Sequence, residues 1–356
     1  MYKGFMSLHG PFLMELSQAL GIINLASPEQ ARNLADLIPE DLIRQALTLS
    51  DTVTLRKRKL PLESMIWLVV GMSVFCNRPL TEIVNLMDIV DSSGSPFTAR
   101  SSVIQRRKTL GENAVRELFE LTQQHWHEQA NHPHWHGLRL CGVDGVVWRT
   151  QDTPENNDTF GKASNQHGER GYPQVRKQWA ALPEEITARL VTRKIDGVER
   201  QILTSLTDAC RYPGADVAEL YRHRWEIELG YREAKQGLLC NRWTLRSRLP
   251  EMVRQELWGV LLTYNLVRYQ MVRMAFHLKG DYLPYQLSFS SAITEMMRLL
   301  ITLPWASPGT VPGELKRFYE QARHCVLPLR RERSYPREVR AKCKKYPDRK
   351  AAGHLK

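Results

Sequence analysis

The sequence predicts an α/β protein: a helical first third, then a mixture of short strands and long helices. Three observations predict this. Proline-bounded segments with apolar residues at helical spacing fill residues 28–128. Short apolar runs at 138–148, 186–193 and 200–206 read as strands, with Asp196 and Gly197 available for the turn between the last two. Longer stretches at 250–278 and 288–303 return to the helical period.

Composition narrows what such a chain can do. With 356 residues it has room for two domains and a sizeable core, and 42% hydrophobic with 25% charged residues is ordinary for a soluble protein. Its charge is not ordinary: 50 Lys and Arg against 38 Asp and Glu give +12, which favours an anionic polymer as partner. Residues 330–356 hold eleven Lys or Arg against three acids, so +8 of that excess lies in one tail. Such a tail suits either a solubilising end or a DNA contact. The six cysteines have no Cys-x-x-Cys pair and read as free thiols of a reducing compartment. Residues 65–75, the longest apolar run, are too few to span a bilayer. The weak leader-like stretch 5–20 is interrupted by His9 and Glu15. A cytoplasmic protein with no membrane partner is expected.

In chain order, residues 1–27 form an N-terminal segment, and helices are expected at 28–37, 39–49, 61–76 and 80–89. A Ser/Gly/Pro turn then precedes a helix at 98–110 bearing Arg100, Arg106, Arg107 and Lys108. That arrangement could lay the basic helix on a DNA groove, and it equally fits a helical hairpin with a charged outer face. The run from Arg56 to Lys59 offers further phosphate contacts or a charged cap before Pro61. Residues 129–137 belong to a His-rich stretch, with five histidines between His125 and His136. Lacking a carboxylate or Cys at a familiar ligand spacing, it reads as a polar linker rather than a zinc or nickel site. The strand at 138–148 carries one acid, Asp144, in an apolar run. Burying that carboxylate is costly unless it is paired or holds a metal, whereas a turn aspartate beside Gly145 is the simpler alternative. Residues 151–171, with Phe160 and Ala163 the only apolar side chains, read as a loop.

The stretch with the most chemistry is 221–235, YRHRWEIELGYREAK, following a helix start at 214–216. On a continuous α-helix, Tyr221, Arg224, Glu228 and Lys235 would share a stripe about 60° wide. One carboxylate would sit among two cations and a phenol, which suits a metal-binding acid flanked by phosphate contacts. A solvated face with helical ion pairs is the alternative.

The spacing of these four residues resembles the signature of bacterial insertion-sequence DDE transposases, in the group of insertion sequence 4. The flanking text LTSLTDACRYPG and TLRSRLPEMVRQELWGVLLTYNLVRYQM, and GVDGVVWRTQDTPEN around Asp144, resemble the same family. The similarity runs over roughly residues 28–345. It implies a ribonuclease-H-like catalytic core at 138–303, an all-helical DNA-binding domain at 28–128 before it, and a basic C-terminal tail at 304–356. It also implies magnesium held by Asp144 and Glu228, with Tyr221, Arg224 and Lys235 positioning DNA backbone. The implied partner is double-stranded DNA at transposon ends, bound by a homodimer in a synaptic complex on the bacterial nucleoid.

The pattern breaks in the middle. The family requires a second catalytic aspartate after a later strand, and Asp152, Asp158, Asp196 and Asp208 do not stand in that context. Only 38 residues separate Val147 from Ile186, where the family's intervening strands and helix would need about 50. An internal truncation with its join near 175–179 is therefore expected. The resulting expectation is a transposase that binds element ends but is defective in cleavage and strand transfer; the alternative is a non-catalytic remnant acting as an end-binding or inhibitory protein.

Overall fold

The computed structural model describes residues 37–52, 61–89, 100–129, 134–139, 147–165, 168–175, 187–195, 198–222, 230, 232–239, 244–278, 286–307 and 309–327. Asp144, Arg224 and Glu228 lie outside these, as do the helix expected at 28–37, except Leu37, the run at 56–59 and most of the basic tail. The chain divides into two compact units, Met1–Val326 and Leu327–Lys356.

Helix α1 (Glu40–Leu49) begins behind Pro39 and carries Glu40 and Asp41 in its first turn, where carboxylates favour the positive helix end. Helix α2 (Leu62–Val74) is buried nearly all round, ten of its 13 residues being inaccessible, which marks it as a central helix. Helix α3 (Leu80–Leu86) packs back on it. Helix α4 (Arg100–Gln129) is two helices merged across a kink at Gly111, whose φ of 70° and ψ of 177° break the helical path. The long helix α7 (Pro250–His277) starts on a proline at its first turn. It crosses α2 where Gly259 leaves no side chain: a Cβ there would lie 2.2 Å from Val69 Cγ1.

These helices, joined by α8 (Phe289–Thr302) and α9 (Val311–Glu320), share one hydrophobic core. The helices of the expected 28–128 domain thus pack directly on α7, from the region expected to be catalytic. The expected tail, 304–356, starts too early. Val311, Leu315, Phe318 and Tyr319 of α9 and Cys325 of α10 (Ala322–Cys325) are core residues, hidden by the polar spacing between them in the sequence.

Strands are short. Strands β1 (His134–Trp135) and β2 (Leu138–Arg139) form a hairpin turning at His136 and Gly137, both with positive φ. This corrects the linker expected at 129–137: Trp135 is buried and stacks on Tyr212 at 5.6 Å. Strand β3 (Trp148–Arg149) pairs with β5 (Gly168–Val175), which pairs with β4 (Lys162–Asn165), all antiparallel. Between β3 and β4 stands helix α5 (Pro154–Phe160), so the loop expected at 151–171 is in fact a capped helix followed by a hairpin. Strands β6 (Arg189–Ile195) and β7 (Val198–Thr204) form the expected hairpin, in a register that leaves residues 196 and 197 between them. Its inner face, through Val191 and Ile202, joins Trp135, Tyr212 and Val217 in a second, smaller core. Cys76 is disulfide-bonded while Cys210 and Cys325 are free, so the expectation of six free thiols does not hold.

Candidate active site and nucleic-acid interface

The signature segment starts on helix α6 (Gly214–Arg222), as expected. Its inner face, Val217 and Ala218, is pinned to the β6–β7 hairpin, and Asp216 in its first turn meets His136 Nε2 at 2.9 Å. Tyr221, near its end, is 43% exposed. The continuous stripe is not preserved to its end, because Lys235 lies in a π-helical turn, Glu233–Leu238. A π turn takes more residues than an α turn, so Lys235 departs from the face that a 100° step assigns to it.

That departure places Lys235 over the ring of Trp148, with Nζ 5.7 Å from the centroid. Trp148 is buried and stands four residues after Asp144. The structure therefore brings the last signature residue beside the strand that follows the first candidate carboxylate. Burial of the same π turn pushes the Glu233 carboxyl up, against the opposing charge of Arg268 at 3.6 Å and a 3.2 Å hydrogen bond from Tyr264. Burial likewise pushes the Tyr264 phenol up to about 12. Tyr264 and Arg268 lie on the helix expected at 250–278, whose side chains read as core packing; their link to Glu233 is not legible in the sequence, because it spans 31 residues and leaves no local spacing.

Residues 244–248 tie strand β3 to the helices. Leu245 N donates to Arg149 O at 2.8 Å, Gln151 Nε2 donates to Leu245 O at 2.9 Å, and Thr153 Oγ1 donates to Arg248 O at 2.8 Å. Arg246 donates to the carbonyl of Met72 in the last turn of α2 and to those of Cys76 and Arg78 in the segment that follows it. Glu256 on α7 accepts from the backbone N–H groups of Arg246 and Ser247, each at 3.0 Å, and from Ser247 Oγ.

Arg107 closes this network, and its place corrects an expectation. Its Nε donates to Gln255 Oε1 at 2.7 Å, and its Nη2 donates to Ser247 Oγ at 3.0 Å and Met252 O at 3.1 Å. Desolvation lowers the guanidinium to about 10, opposed by the Glu256 charge and assisted by that of Arg246. Arg106 is buried as well. Neither side chain faces outward as a groove-lying basic helix requires: Arg107 is turned onto α7, and Arg106 is buried on the same inner half of the helix. Of the four cations expected to touch DNA, Lys108 is exposed, and Arg100 begins the helix with its side chain outside the described residues.

Of the four alternative aspartates, Asp196 lies outside the described residues and the other three are paired or peripheral. Asp152 pairs with Lys162 at 2.9 Å, and that hydrogen bond, with one from Asn157, holds its carboxyl below the usual range. Asp208 accepts the backbone N–H groups of Cys210 and Arg211. Asp158 is exposed on α5. Among the described residues no three His, Cys, Asp or Glu side chains gather as a metal site. No described helix is long and apolar enough to cross a membrane.

Comparison with known proteins gives the family. Residues 28–120 match the family model for the insertion element 4 transposase N-terminal region, and residues 120–266 match that for the transposase DDE domain. The transposase InsG of insertion sequence element IS4, from Escherichia coli strain K12, is 40% identical over 94% of this chain and 98% of its own length. InsZ of the same strain is 35% identical over 43% of this chain and 50% of its own length. The transposase of insertion sequence element IS421 of Escherichia coli is 27% identical over 38% of this chain and 42% of its own. No solved structure matches. The InsG alignment spans 435 positions, whereas 94% of 356 residues is about 335, so about 100 aligned positions have no counterpart here. Since the alignment nearly exhausts both chains, those positions are internal. With two family models and an end-to-end relative in agreement, the chain belongs to the insertion sequence 4 family of DDE transposases.

Proposed function

We propose that this protein binds the DNA ends of an insertion sequence and has lost the cleavage and strand-transfer steps of its family. The observation that carries this reading is the internal shortfall of about 100 aligned positions against InsG. It agrees with the 38 residues between Val147 and Ile186, too few for the strands that lead to a second aspartate. The proposed boundaries are a helical end-binding region at 28–128 and a truncated core at 138–303.

Asp144 and Glu228 are the proposed magnesium ligands. Magnesium held there would supply Lewis-acid activation of the attacking and leaving oxygens of a phosphodiester. Two such ions need more carboxylate than this pair supplies, so binding is weak and poorly placed. Tyr221, Arg224 and Lys235 are proposed to hold the backbone near the cut, with Trp148 fixing the Lys235 ammonium. Arg107 leaves the proposed DNA contacts and becomes a strut between the helical region and α7; Arg100 and Lys108 remain in them. The protein acts on the nucleoid, where a homodimer would hold two ends without joining them and could inhibit an intact transposase.

Gel-shift and cleavage assays on duplexes carrying candidate ends, with and without magnesium, test this. Binding without a nick is the expected result. A magnesium-dependent nick would mean that a surviving aspartate completes the site, and would overturn the proposed loss.

A further inference from the structure

We infer that the outer face of the first half of α4, residues 100–110, reads base edges in the DNA major groove, with Gln105 the specificity-determining residue. This rests on the end-binding reading above. It reverses the face that the basic residues suggested.

The helix is divided cleanly. Val103, Arg106, Arg107 and Leu110 are buried, while Ser101, Ser102, Ile104, Gln105, Lys108 and Thr109 are exposed. At about 100° per residue the exposed six occupy an arc of about 160°, and the buried four fill the opposite side. The exposed arc carries hydroxyls, one amide, one ammonium and one aliphatic side chain. It has no acid, so nothing on it repels phosphate.

Each group has a partner on a base pair. An amide can bond both N6 and N7 of adenine, hydroxyls serve any base, lysine takes guanine O6 and N7 or a phosphate, and an aliphatic side chain meets the thymine methyl. Gln105 stands near the middle of the arc and makes no side-chain hydrogen bond among the described residues. Thr109 directs its hydroxyl to Gln105 O at 3.1 Å, leaving the amide head as the reaching group.

The helix is also held in place. Arg107 ties it to Gln255, Ser247 and Met252, and Gln255 Nε2 donates to the carbonyls of Arg107 and Gly111 across the kink. A reading face needs such a fixed support, because misplaced donors lose bidentate contacts. The inward Arg107 thus serves recognition by fixing the helix.

The experiment is selection of duplexes from a pool with a randomised core, using the full chain and then Gln105→Ala and Lys108→Ala. We expect the parent to select one site. Gln105→Ala should lose the preference at one or two adjacent base pairs and bind the parent's site about tenfold or more weaker. Lys108→Ala should weaken all sequences alike and lower the salt slope by about one. If Gln105→Ala selects the parent's site with unchanged affinity, the inference fails while end binding stands. A parent that selects no site removes the end-binding reading and this inference together.

Discussion

Arg107 shows how burial changes the meaning of a charged residue. Among Arg106, Arg107 and Lys108 the sequence offers three similar cations, yet one guanidinium has three internal acceptors and the ammonium points to solvent. Arg107→Ala would leave Gln255, Ser247 and the Met252 carbonyl short of a donor in a buried site. Its expected cost is about 3 kcal/mol or more in equilibrium urea unfolding, against within about 0.5 kcal/mol for Lys108→Ala. Glu233 carries the opposite sign. Its carboxyl is raised in the folded state because burial outweighs Arg268 and Tyr264, so its favourable contribution is present at acid pH and is lost as pH rises through the folded value. Glu233→Gln should therefore be neutral or stabilising by at most about 1 kcal/mol at pH 7, with the gain fading at pH 4. A loss at pH 7 larger than at pH 4 would show that the Arg268 pair dominates instead.

Helix α5 is the element where local chemistry was present in the sequence but outweighed by composition. Thr153 accepts from Asn156 N at 3.3 Å, Pro154 occupies the first turn, and Gly161 ends the helix at φ 66°. All three signals can be read in TPENNDTFG. The segment has few apolar residues because it is held by its cap and by side-chain hydrogen bonds to 244–248, and a hydrophobic pattern does not register those. Thr153→Ala removes the cap and the bond to Arg248 O together, with an expected loss of about 1 kcal/mol or more in thermal or urea unfolding. The long helices were legible because apolar periodicity sustains them: α7 was expected at 250–278 and spans Pro250–His277. The start of α6 and the β6–β7 hairpin were legible for the same kind of reason, a glycine-marked boundary and a two-residue turn. The π turn at Lys235 was not, since nothing in EAKQGL distinguishes it from an α turn and the choice is made by packing on α7 and α8. Chemical identity was thus readable for Tyr221 and Lys235, whereas their relative orientation was not.

At the scale of the whole molecule, the charge is distributed unevenly. Residues 330–356 contribute +8 of the net +12. Their removal should weaken binding to random duplex and reduce the dependence of affinity on salt, because fewer counterions are released. The preference among sequences should persist, since the proposed reading face is on α4. Filter binding of the truncated and full chains from 50 to 200 mM salt checks this, and equal slopes would exclude the tail from the interface.

The main core is assembled from α1–α4, α7–α10 and the π turn, and of the described strands only β3 enters it, through Trp148. A core built from helices of both matched regions leans little on the strands between them. On the reading proposed above, an excision within the strand-bearing segment silences the element while its product keeps hold of the ends, in competition with its active kin. A genome could in this way acquire a repressor of a mobile element from the element's own damaged copy.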